Sequence, residues 1–150
     1  MQKGVDYIGV GVGAVIVNPE GKIFLNKRGL KARNGAGKWD FPGGGVRFGE
    51  RVEDALAREI KEEFDLIIEA VELLNVCNHI IPDEGQHWVS PTFLCRVKSG
   101  EAKICELEKC EAIDWLGLEE IENLRLTETT KQDLEAIKEK YPNGLPNLYK

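Results

Sequence analysis

The sequence predicts an α/β fold, an α/β/α sandwich on a mixed β-sheet. Three observations predict it. Segments rich in Val and Ile alternate with turns containing Gly, Pro and Asn, the pattern expected of strands. One long helical pattern interrupts them, with strand-like segments on both sides of it. A further helical pattern follows the last strand-like segment and supplies a layer for the other face of the sheet. With 150 residues, the chain is expected to form a single domain over 1–150, long enough to bury a proper core.

The first strand is expected over residues 7–17. Asn18-Pro19-Glu20-Gly21 places Pro and Gly where a turn wants them, and residues 22–27 give a second strand and hence a hairpin. Residues 28–38 are Gly-rich and basic and read as a mobile loop. Trp39-Asp40-Phe41 is a short strand entering Pro42-Gly43-Gly44-Gly45, where three consecutive glycines let backbone come close to a ligand. A helix is expected over 50–64, with Val52, Ala55, Leu56, Ile60 and Phe64 as its apolar stripe. Strands follow over 69–81 and 87–97, joined by the polar turn Asp83-Glu84-Gly85-Gln86, and a last short strand over 112–116. Helices close the pattern over 118–124 and 128–141. Thr127 is a suitable N-cap for the second, and Pro142 stops it.

Composition narrows the function. The net charge of −6 argues against a general nucleic-acid or membrane-surface binder, because there is no basic field to neutralise phosphates. A single nucleotide is still accommodated, since metal can bridge its phosphates to protein carboxylates. The four cysteines, Cys77, Cys95, Cys105 and Cys110, form no CxxC pair, and only His79 lies near one of them. They read as reduced thiols of a cytoplasmic protein rather than a zinc framework. No signal peptide pattern is present, and no apolar run reaches the ~20 residues a membrane span needs.

The chemistry concentrates on the 50–64 helix. At about 100° per residue, Glu59, Glu62 and Glu63 fall within roughly one third of its circumference. Glu59 repels both of the others, each pair costing ~0.2–0.5 kcal/mol on an exposed helix. Glu59 and Glu63 also border the Val52 and Ala55 side, where solvation alone explains a carboxylate poorly. Arg58 flanks the cluster, and Lys61 points away from it. Such a cluster makes sense with a cation on it. Oxygen ligands without Cys or His favour Mg²⁺, Mn²⁺ or Ca²⁺ over zinc.

Gly44, five residues, Glu50, seven residues, then Arg58-Glu59-Ile60-Lys61-Glu62-Glu63 resembles the Nudix box, a match spanning the 23 residues 44–66. The element order is similar to a Nudix domain over nearly the whole chain. One departure is Asp65, where the family usually has Gly. The position favours the left-handed region, which Asp tolerates at modest cost. Trp39-Asp40-Phe41-Pro42-Gly43-Gly44 and the 108–115 segment also look like MutT-type nucleoside triphosphate pyrophosphohydrolases, a subgroup that includes nucleotide-pool sanitisers of 8-oxo-dGTP.

The resemblance implies Mg²⁺ as cofactor, with Mn²⁺ as the alternative, held by Glu59, Glu62 and Glu63. A carboxylate takes the proton from the attacking water, and its identity stays open. Arg58 is expected to orient the glutamates, and Glu50 to tie the loop to that network; the bland readings are an i, i+4 pair with Glu62 and a favourable charge at the helix N-terminus. A further ligand from outside the box is sought at Glu111, with Glu108 as the other candidate. Gly43 and Gly44 present backbone to the phosphates. Arg28 is a candidate phosphate contact, or else a solvated loop cation. Phe41, His87 and Trp88 are candidate base contacts, although core packing explains Phe41 and Trp88 as well. His87 faces the opposite side of its strand from Trp88, so it lines the cleft or is exposed if Trp88 is core. His79 reads as a sheet residue.

The expected activity is Mg²⁺-dependent hydrolysis of a nucleoside triphosphate, purine or oxidised purine, to the monophosphate and pyrophosphate. The first alternative is hydrolysis of ADP-ribose or another nucleoside diphosphate linked to a sugar, to which Pro82 gives a soft hint. The second is a nucleotide-sensing Nudix module without turnover. The expected partner is the small-molecule nucleotide alone, with neither nucleic acid nor membrane. The glycine-rich first strand is a candidate interface for a homodimer.

Overall fold

The computed structural model describes residues 1–32 and 35–150. The loop expected over 28–38 is described except at Arg33 and Asn34, which lie outside the described residues. The elements run β1 (Gly9–Val17), β2 (Ile23–Arg28), β3 (Trp39–Asp40), β4 (Gly43–Gly45), α1 (Val52–Phe64), β5 (Ile67–Ile81), β6 (Gln86–Ser99), β7 (Cys110–Leu116), α2 (Leu118–Ile121) and α3 (Glu128–Lys140), with one 3₁₀ turn at Pro82–Glu84.

These strands make one mixed seven-stranded sheet, ordered β3-β2-β1-β6-β5, with β4 paired to β1 and β7 to β2. Among the strands of the described residues, β1 and β6 pair in parallel and the other pairings are antiparallel. The alternation of β1 shows how the sequence builds two layers. Val12, Ala14 and Ile16 face α1 and pack with Phe24, Ala55, Leu56, Ile60 and Phe64. Val15 and Val17 face the other way and pack with Ile23, Leu25, Leu94, Leu134 and Ile137 under α3. Trp115 is structural: its ring meets Phe24 edge-on at 5.1 Å.

Helix α1 begins two residues later than expected, because Arg51 is extended and serves as N-cap without a side-chain bond. Glu50 therefore stands before the helix. The other end behaves as the sequence implied. Asp65 caps α1 at φ 53°, the one non-glycine at positive φ among the described residues, and Lys61 pairs with its carboxylate. Thr127 caps α3 and accepts from Thr130 N–H.

Helix α3 is joined to the sheet by a buried polar knot. Asp133 accepts from Cys77 Sγ at 3.0 Å, from Thr92 Oγ1 at 3.0 Å and from Asn75 Nδ2 at 3.3 Å. Burial, first of all, raises the Asp133 pKa, and burial likewise pushes the Cys77 thiol up to about 12. The same helix covers part of the edge strand β5. The Gln132 side chain donates to Asn78 O at 2.9 Å and accepts from Asn78 N–H at 3.3 Å, while Lys140 donates to Leu73 O.

Candidate active site

The site is assembled around Arg58. Its guanidinium holds Glu50 with two bonds, Nε to Oε2 at 2.8 Å and Nη2 to Oε1 at 2.9 Å. Nη1 donates to Glu59 at 2.9 Å and to Glu62 at 3.4 Å, and Nη2 also donates to Gly45 O at 3.1 Å. Glu50 in turn accepts from Arg47 N–H. The Arg58 bonds hold the Glu50 carboxyl down at about 2. Glu59 lies directly against Gly44: a Cβ on that glycine would stand 2.3 Å from Glu59 Cδ. Only glycine lets the loop lie this close to the carboxylate. The structure thus brings together Gly44, Glu50, Arg58, Glu59 and Glu62, five of the six box positions singled out in the sequence.

Glu63, the sixth, has no bond to Arg58. Its carboxyl is pushed up to about 8, first by burial and then by the negative charges of Glu59 and Glu106, against weaker opposition from Lys109 and Arg28. Glu106 was not among the residues chosen from sequence. It reaches the helix because Cys105 N–H donates to Glu63 O at 2.9 Å and Lys103 N–H to Phe64 O, which ties the strand-free 101–109 segment to the end of α1. Glu106 Oε2 is buried without a hydrogen bond; Lys109 Nζ approaches it to 3.1 Å as an ion pair only.

Glu111, the expected outside ligand, instead stands 3.9 Å from Lys27 Nζ on β7, and Glu108 is exposed. The reason is local. The register between β2 and β7 shifts between Lys27 and Arg28, so that Glu111 falls at an irregularity in the pairing.

These residues fit a divalent cation. The donors are all carboxylate oxygens, one of them buried with no partner but the Lys109 ammonium, and Glu63 feels two like charges that a cation would offset. As they stand, with Glu59 and Glu62 turned toward Arg58, no three acidic, His or Cys side chains among the described residues converge as a ready ligand set.

A second group of polar residues lies on the α3 face. Asp40 Oδ1 accepts from Thr127 Oγ1 at 2.7 Å and Thr130 Oγ1 at 2.6 Å, and Arg28 Nη1 approaches Oδ2 at 3.5 Å. His79 is the cross-strand partner of Trp88. Its pKa is lowered chiefly by burial, and the charges it feels are those of Asp40, Arg28, Glu128 and Glu84. It is therefore His79 that shares a face with Trp88 and Arg28. His87 pairs with Ile80 and points to the opposite face. Phe41 is 5% exposed and packs in the core under α3, its backbone N–H donating to Thr130 Oγ1. Asp40 and Glu106 are not among the candidates drawn from the sequence, and His79 reads there as a sheet residue. Only Asp40 carried a signal, its place beside Phe41 before the glycine run.

A mixed sheet between two helices, with a glycine strand laid on an acidic helix, defines a Nudix-type fold and site. The NUDIX domain model matches residues 8–139, and the chain belongs to that family. Among solved structures, it is similar to the MutT NUDIX hydrolase from Burkholderia pseudomallei, with a TM-score of 0.80 and 40% identity over 87% of this chain and 98% of that one. Among curated relatives, it is 41% identical to an ADP-ribose pyrophosphatase of Methanocaldococcus jannaschii over 59% of this chain and 51% of that protein. It is 38% identical to an 8-oxo-dGTP diphosphatase of Proteus vulgaris over 46% of this chain and 61% of that protein. The chain spans between 22% and 61% of the length of the curated relatives it matches. No helix among the described residues is long and apolar enough to cross a membrane.

Proposed function

We propose that the chain hydrolyses a phosphoric anhydride bond in a nucleotide with Mg²⁺, Mn²⁺ being the alternative ion. The preferred substrate class is a purine or oxidised purine nucleoside triphosphate, split into the monophosphate and pyrophosphate. The observation that carries this reading is the half-buried Glu63 carboxyl near the end of α1, crowded by Glu59 on the same helix and by Glu106 from the 101–109 segment packed against it. Glu59, Glu62, Glu63 and Glu106 are the residues that would hold the cation, with Glu106 in place of the expected Glu111. Bound there, the ion neutralises phosphate oxygens and acidifies a water.

The remaining steps belong to the chain itself. Arg58 holds Glu50 and Glu59 in fixed positions, so little ordering is left for the moment of reaction. Gly43 and Gly44 offer backbone to the phosphates without side chains in the way. On the α3 face, Asp40 presents an acceptor oriented by Thr127 and Thr130, suited to a ring N–H of a purine, and His79 lies on the same face. Arg28, beside Asp40, is placed to balance a phosphate or the Asp40 charge.

The ADP-ribose reading is kept as the second, on the identity to the M. jannaschii protein. The test is a panel of dGTP, 8-oxo-dGTP, dCTP, dUTP, ADP-ribose, a nucleotide sugar and a dinucleoside polyphosphate, with Mg²⁺ and products separated by chromatography. Monophosphate plus pyrophosphate from a purine triphosphate, abolished by EDTA, supports the proposal. AMP from ADP-ribose with the triphosphates untouched replaces it with the second reading. Nucleotide binding without turnover of any member would mean a sensing module.

A further inference from the structure

The segment ahead of β1 folds into a turn of its own. Gly4 N–H donates to Tyr7 O at 2.7 Å, and Val5 and Asp6 N–H both donate to Gln2 O. Two contacts dock this turn on the sheet. His87 N–H donates to Gly4 O at 2.8 Å, and the Trp88 indole is held between two glycines. A Cβ on Gly4 would stand 2.3 Å from Trp88 Cε2, and one on Gly9 would stand 2.4 Å from Trp88 Cε3. Gly4 also has φ +81°. No other residue satisfies both demands, so the turn has one way to sit, and Lys3 is carried with it.

Lys3 reaches the glycine loop. Its Nζ lies 5.7 Å from the Trp88 ring centroid and donates to Val46 O at 3.0 Å. A Cβ on Gly45 would stand 3.2 Å from the same Nζ. Arg58 takes the carbonyl of Gly45 and Lys3 that of Val46, so two cations hold consecutive residues of the loop. Their charges are used differently. Arg58 is bound to Glu50, Glu59 and Glu62, three carboxylates on one guanidinium. Lys3 has no carboxylate within ion-pair distance among the described residues. An ammonium has three donors, and Val46 takes one.

We propose that Lys3 binds the phosphate chain of the substrate at the Gly45–Val46 end of the loop. The proposal rests on the hydrolase reading above and adds a residue from outside the box to it. A polyphosphate brings several negative charges to a loop whose own carboxylates already outnumber Arg58. A second cation, fixed in advance by the Trp88 sandwich, supplies attraction at small ordering cost.

The test is Lys3→Met against Lys3→Arg, with steady-state kinetics on the best substrate of the panel and calorimetric titration of inorganic tripolyphosphate with Mg²⁺. Lys3→Met is expected to raise KM and weaken tripolyphosphate binding by about tenfold, the size of one charge-assisted hydrogen bond at a partly exposed site. kcat and Tm stay at the wild-type values, Lys3→Arg restores affinity, and added salt shrinks the difference. Unchanged KM and unchanged tripolyphosphate affinity overturn the proposal. So does a joint fall in kcat and Tm that Arg does not rescue, since Lys3 would then only pin the Val46 carbonyl. If the wild-type chain hydrolyses nothing on the panel, the hydrolase reading fails, and the tripolyphosphate titration still decides Lys3 by itself.

Discussion

Two sets of buried or half-buried carboxylates lie on opposite faces of one sheet, and they are satisfied in opposite ways. Asp133, under α3, accepts from Cys77, Thr92 and Asn75. Every neighbour on that list is a donor. Glu63, under the end of α1, is crowded by Glu59 and Glu106, and Glu106 keeps a buried oxygen without a hydrogen bond. Both carboxyls have raised pKa values, and burial is the first cause in each. The direction of a pKa shift therefore does not separate a structural acid from a functional one. The partners do: donors that close the group off on one face, like charges that need a cation on the other.

Glu63→Gln gives the largest expected effect. It should lower Mg²⁺-dependent turnover by roughly 10²–10³-fold, several kcal/mol of lost metal and transition-state stabilisation. Its urea midpoint should not fall, because the substitution removes a half-buried carboxyl with like-charged neighbours. Full turnover in Glu63→Gln would place the cation elsewhere.

Asp133→Ala breaks the other side of the comparison. It leaves the Cys77, Thr92 and Asn75 donors without their acceptor, a loss of about 2–4 kcal/mol in urea unfolding. Asp133→Asn keeps an acceptor oxygen in place and should lose about half of that or less. Specific activity per folded molecule should hold in both. A kinetic defect larger than the folded fraction explains would show that Asp133 itself takes part in turnover.

The smallest effect is on alkaline stability. Burial pushes Cys77 and Cys95 from the ordinary value of 9.0 up to about 12. In the unfolded chain these thiols ionise from about pH 9 upward, while the native protein keeps their protons. The unfolded state then binds fewer protons, so stability falls as pH rises above about 9. Urea midpoints measured from pH 7 to 10.5 should decline over the last unit and a half, and less steeply in Cys77→Ala. Identical slopes in the two proteins would remove Cys77 from the account.

What the sequence made legible was local. The β1–β2 hairpin, the α1 stripe, the Thr127 cap and the left-handed Asp65 all follow from residues within a few positions of one another. Gly44 and Glu59 are 15 positions apart, yet the box offsets located them because a loop and the helix after it form one unit. The misses were long-range. Glu106 meets Glu63 through a backbone bond from Cys105, which no periodicity announces. Strand alternation correctly set His87 on the opposite face from Trp88, but it did not reveal that His79 lies across from Trp88. Which layer each face packs against depended on the parallel pairing of β6 with β1 and on α3 covering one side, and neither can be read from β6 alone.

The Gln132 side chain on Asn78 has a consequence for how the protein keeps in solution. β5 is a 15-residue outermost strand that exposes Val71, Leu73, Val76 and Ile80, a template onto which a strand from another molecule would readily add. A primary amide offers one donor and one acceptor in the spacing of a peptide group, so Gln132 occupies Asn78 as a neighbouring strand would, while Lys140 takes Leu73 O and sets a charge beside it. Two side chains of α3 thus act as a decoy strand. The helix whose Asp133 is buried against the sheet also keeps the sheet from growing beyond its last strand.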